Sequence, residues 1–194
     1  MPNFRIFTES KSDIKFCTDY VNEHFNVILA REDFYALESW AGYKGGGNLV
    51  AEIRENFDEE KETILILDAD NNFAQRLEEV TRDFQAYSIP IHLFLFPNNA
   101  LNGSLETALC VIAVEQDILR CFEGYEACIH NYESPVIKSK IFAYLDALLP
   151  SANKKNDKND LIQDAKRNYR NVAHWNLRHE YLNPLHNFLQ RFFP

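Results

Sequence analysis

The chain has 194 residues, 46% hydrophobic and 25% charged, with a formal net charge of −9. That is chain enough for one domain with a sizeable core, in a normal globular balance. No run of about 18 apolar residues exists, which excludes a membrane-spanning helix. The opening MPNFRIFTESKSD lacks the apolar stretch of a secretory leader, and four cysteines without a CxxC predict reduced, mostly packed thiols in a cytoplasmic protein.

FRIFTE, residues 4–9, reads as a short strand. SDIKFCTDYVNEHF, 12–25, follows with Ile14, Cys17, Val21 and Phe25 at helical spacing and Ser12 placed to cap the helix. DFYALESW, 33–40, is aromatic-rich and strand-like. GYKGGGN, 42–48, is a break, after which NLVAEIRENF predicts a helix from Asn48. TILILD, 63–68, and PIHLFLF, 90–96, are short apolar runs suited to strands covered on both faces, and the segment 72–87 between them is an amphipathic helix. PNNALNG is turn chemistry, and SLETALCVIAV opens a helix with Ser104 as its cap.

Four strands alternating with helices predict an α/β domain whose sheet is mainly parallel. The remainder reads as a helical C-terminal part, giving a single domain with an α/β core over 1–115 and a helical extension over 116–194. Within that extension SANKKNDKND lacks apolar anchors, so 151–165 is expected to be its least ordered stretch. Cys121 and Cys128, seven residues apart on one helical face, are expected to pack. Trp40, Trp175, Phe188, Phe192 and Phe193 are expected in a core or interface, and the spacing of His174, His179 and His186 does not suit zinc.

In an open parallel sheet, ligands bind at the carboxyl ends of the strands. Glu9 ends the first predicted strand, Asp68 and Asp70 end the third, and Glu106 follows the fourth in the first turn of a helix. An all-carboxylate set favours a hard cation such as Mg²⁺. The plainer readings are turn and cap residues, and for Glu106 a favourable interaction with the helix dipole. GYKGGGN can cradle a phosphate through Lys44 and the Gly46 backbone, or serve as a plain turn. Lys138 and Lys140 at a later helix start can touch substrate or face solvent.

Residues 1–150 hold 12 Lys/Arg against 25 Asp/Glu, and residues 151–194 hold 8 against 4. The acidic body repels nucleic acid unless cations intervene.

FTESKSD at 7–13 resembles the first motif of the Toprim domain, a strand and glutamate followed by a turn and an acid that opens a helix. LDAD at 67–70 resembles its DxD motif. FPNNALNGSLETAL, KSKIFAYLDALLP and HWNLRHEYLNPLHNFL are similar to later segments of small stand-alone bacterial Toprim-like proteins and OLD-family nucleases. The resemblance implies a Rossmann-like Toprim fold, with a four-stranded sheet and a site for Mg²⁺ (or Mn²⁺). Glu9, Asp68 and Asp70 would be its catalytic and metal-binding acids and Glu106 a further metal ligand. It implies phosphodiester processing on DNA or RNA, with nucleic acid and a protein such as an ATPase as candidate partners. Ser10 stands where the family has glycine, and Asn98 where small relatives often have aspartate. These departures support the alternative, a non-catalytic module that binds nucleic acid, nucleotide or protein.

Overall fold

The computed structural model describes residues 4–36, 48–55, 60–129, 131–132, 137–149 and 166–194. Four strands, β1 (Phe4–Thr8), β2 (Phe34–Ala36), β3 (Glu62–Asp68) and β4 (His92–Phe96), form an all-parallel sheet in the order β2-β1-β3-β4. Helices α1 (Lys11–Phe25), α2 (Asn48–Glu55), α3 (Phe73–Ala86) and α4 (Leu105–Ile112) alternate with the strands. Helices α5 (Gln116–Cys128), α6 (Ile137–Leu148) and α7 (Asn183–Leu189) follow, the last entered through a 3₁₀ turn at Glu180–Leu182. The expected mainly parallel α/β sheet with a helical C-terminal part is therefore present, and its sheet is Rossmann-like.

The strand sequences explain the layering. Successive side chains of a strand point to opposite faces. Ile6, Ile64, Ile66, Phe94 and Phe96 join one buried cluster with Phe16 and Tyr20 of α1, Leu109 of α4, Tyr144 of α6 and Leu185 of α7. Phe7, Leu65, Leu67 and Leu95 join the other, with Val50 and Ile53 of α2 and Val80 and Phe84 of α3. Because both faces are covered, these strands are continuously apolar rather than alternating. Trp175, Phe188 and Phe193 belong to the first cluster, as expected, and Phe192 packs against it.

Helix α1 starts earlier than expected. Its cap is Ser10, not Ser12: the Ser10 Oγ accepts the Asp13 N–H at 3.3 Å, and the Asp13 Oδ2 accepts the Ser10 N–H at 2.8 Å. This reciprocal box satisfies two N–H groups of the first turn, an advantage Ser12 lacks. Ser12 is instead buried, with its hydroxyl 2.8 Å from that of Ser10. The thiols also differ from expectation, since Cys17 is buried while Cys121 and Cys128 lie exposed on α5; all four are free. Trp40, the Gly-rich stretch with Lys44 and Gly46, the 37–40 end of the predicted second strand, and segment 151–165 lie outside the described residues. Among the described residues no helix is long and apolar enough to cross a membrane.

Candidate functional site

The chain passes from β1 outward to β2, then crosses to β3 on the other side of β1. The carboxyl ends of β1 and β3 therefore flank the point where the strand order reverses, and a crevice for ligands opens there in sheets of this kind. Glu9 follows β1 and Asp68 ends β3.

These two acids are linked directly. The Glu9 Oε1 accepts the Asp68 backbone N–H at 3.1 Å and a guanidinium N–H from Arg76 Nη2 at 2.8 Å. Arg76 Nε also donates to the Asp68 carbonyl at 3.2 Å. On its other side, Asp68 Oδ1 accepts the N–H of Leu105, the first residue of α4, at 3.0 Å. One strand end, one arginine and one helix N-terminus thus fix both carboxylates.

Two further acids crowd the pair. Asp13, 5% exposed, occupies the first turn of α1, and Glu106, 7% exposed, the first turn of α4. The Glu106 Oε2 accepts the Ser104 hydroxyl at 2.8 Å, and its Oε1 lies 3.6 Å from Lys138 Nζ. Burial, then the Glu9 and Glu106 carboxylates, push the Asp13 carboxyl up to about 7. Burial, then Glu9, Asp13 and Glu106, hold Asp68 well above the usual carboxylate range. Glu9 is raised by burial, against the lowering effect of Arg76. The shifts point the same way: a carboxylate withdrawn from water among other carboxylates prefers its proton or a cation.

The cluster carries four acids, Asp13 and Glu106 buried and Glu9 and Asp68 partly so, against one buried guanidinium, Arg76, with Lys138 half-exposed at the edge. Its donors are all carboxylate oxygens, which suit a hard cation. Among the described residues, no group of three or more His, Cys, Asp or Glu side chains is placed to hold a metal ion.

Asp70 is exposed, in the left-handed region at φ 53°, and its backbone exchanges hydrogen bonds with Gly103 at 2.9 and 2.7 Å. It still acts on Glu9 as a nearby negative charge. Glu106 lies inside the cluster, close enough to act on both Asp13 and Asp68. Lys140 is engaged by Glu123 of α5 at 2.8 Å, so Lys138 is the member of its pair that reaches the acids.

Sequence reasoning passed over Asp13 and Arg76 as site residues. Asp13 reads locally as the acid of a helix cap, and only the tertiary fold brings it to Glu9 and Glu106. Arg76 did leave a signal. It stands at helical spacing before Val80 and Phe84, all three buried on α3, so a charge interrupts an apolar stripe. No family model matches the chain, and neither curated proteins nor solved structures give a match.

Proposed function

We propose that this chain is a Toprim-type, Mg²⁺-dependent protein that processes phosphodiesters of DNA or RNA. The observation that carries the reading is the convergence of Glu9, Asp13, Asp68 and Glu106 at the point where the strand order reverses, four acids against one buried guanidinium. Glu9 and Asp68 would hold the ion, with Glu106 and the exposed Asp70 acting through its waters. Mg²⁺ ordinarily keeps several waters and takes only one or two carboxylates, so no dedicated three-acid cage is required. When bound, the ion supplies Lewis-acid polarisation of a phosphoryl oxygen.

The chain's own groups do the rest. Lys138 offers an ammonium to a phosphate beside Glu106. Asp13, poised at about 7, can hold or release a proton near neutral pH, where general acid–base catalysis works best. Arg76 fixes the Glu9 carboxylate through its Oε1 and leaves Oε2 for a ligand.

One observation favours the second reading, a non-catalytic module. Arg76 already supplies Glu9 with a positive charge, as a cation would. Incubating supercoiled and single-stranded DNA, and RNA, with the protein in Mg²⁺ or Mn²⁺ separates the two. Cleavage that stops with chelator and with Glu9→Gln supports the enzyme. Retention of nucleic acid without cleavage supports the module.

A further inference from the structure

Histidines fasten the C-terminal segment to α1. His24 stands in the last turn of α1, and its Nε2 donates to the Leu177 carbonyl at 2.9 Å. Its ring centroid lies 4.3 Å from that of Tyr20 and 5.3 Å from that of His186 on α7. His186 in turn stacks on Phe25 at 5.0 Å, with the two rings 13° apart. His179 caps the 3₁₀ turn that leads into α7, where its Nδ1 accepts the Tyr181 N–H at 3.1 Å.

Each of these places suits a neutral ring. A protonated imidazole has donors at both nitrogens and no acceptor. A proton on His179 therefore removes the cap and sets a positive charge against the N–H groups of the turn. His24 and His186 face each other, so two protons there repel. The other charges acting on His24 are Arg178 and Glu23. Glu23 is already shared between Arg170 at 3.6 Å and Arg178 at 3.0 Å, so it does little to balance an imidazolium. Burial, then His186 and Arg178, hold the His24 ring below its ordinary value, against the bond to Leu177 and the Glu23 charge. Burial also lowers His174, at the start of the same segment. His92 differs: its Nδ1 accepts from Arg191 at 3.0 Å, but its Nε2 meets Glu62 at 3.0 Å, so a proton there is both opposed and attracted.

The fastened segment covers apolar surface. Leu177, Leu182, Leu185 and Phe188 share one buried cluster with Phe16, Tyr20 and Val21 of α1. We propose that residues 174–189 form an acid-sensitive latch, closed on α1 while His24, His179 and His186 are neutral and loosened as they take up protons. A ring held below its ordinary value binds its proton more weakly in the closed segment than in the open one. Closure is therefore favoured above the ordinary histidine range and loses favour as pH falls through it. The acid cluster has the opposite trend, since the Asp13 carboxyl, raised to about 7, favours the fold in acid. The latch is independent of the proposed phosphodiester chemistry.

Opposed trends call for a local readout. The test is residue-resolved amide exchange of the ¹⁵N-labelled full chain at about pH 7.5 and about pH 5.5 with chelator, expressed as protection factors. Protection at residues 185–189 of α7 should fall at least about tenfold at the lower pH, relative to Val80 and Phe84 of α3. The variant His24→Gln/His179→Asn/His186→Phe keeps a donor for Leu177, an acceptor for Tyr181 and a ring on Phe25, and it should lose that fall. His179→Asn alone, a milder change, should lessen it. No fall in the parent, an equal fall in α3 and α7, or an unchanged fall in either variant would overturn the proposal.

Discussion

Asp13→Asn isolates the electrostatic cost of the crowded acids. Burial, Glu9 and Glu106 lift this carboxyl from 3.8 to about 7. Because the folded value lies above the unfolded one, the folded chain keeps a proton that the unfolded chain has released. Stability from this group is full below about pH 4, falls as pH climbs toward 7, and is flat above. The interval corresponds to about 4 kcal/mol. Asparagine has the same shape, and its oxygen can keep the 2.8 Å bond from the Ser10 N–H. It forgoes about 0.3–1 kcal/mol of interaction with the α1 dipole. The variant should therefore be more stable than the parent by about 3 kcal/mol near pH 8, and within about 1 kcal/mol of it near pH 4. In thermal unfolding with chelator present, that is a Tm gain of about 6–12 °C at the higher pH only. A gap that does not change with pH, or a variant less stable near pH 8, would mean that Asp13 is a cap and nothing more.

Three further substitutions probe the neighbours. Arg76→Met leaves the largely enclosed Glu9 without its ion pair and should cost about 3–5 kcal/mol, read by chemical denaturation, with part of the loss recovered in Mn²⁺. Gly103→Ala should destabilise by about 1–3 kcal/mol in the same assay, because φ is 132° and the added Cβ would meet Thr107 Oγ1 at 2.5 Å. Lys138→Ala should leave stability within about 0.5 kcal/mol. It should weaken DNA binding and reduce the slope of log affinity against log salt by about one, measured by fluorescence anisotropy.

The sheet was legible because its strands are short apolar runs flanked by turn residues. The run 63–68 was read one residue short, since pairing with Phe4 extends β3 back to Glu62. Glu9 and Asp68 were legible because an acid at the end of a buried strand has few places to go. The burial of the other acids was not. The left-handed backbone at Asp70 and its pairing with Gly103 accompany an exposed carboxylate, whereas Glu106 is enclosed near α1 and α6 by contacts far apart in sequence. Cys121 and Cys128 share a helical face, but spacing alone does not say which face meets the core. The structure leaves both exposed.

The central claim is that the buried acids at the strand crossover bind a divalent cation. Isothermal titration of Mn²⁺ into the parent and into Asp68→Asn tests it most directly. The asparagine oxygen can still accept the Leu105 N–H that holds this side chain, so the fold should persist while the charge is lost. Binding to the parent should be saturable and the affinity of the variant at least about tenfold weaker, with unfolding curves confirming that both are folded. No heat at millimolar Mn²⁺, or equal affinity in the two proteins, would contradict it.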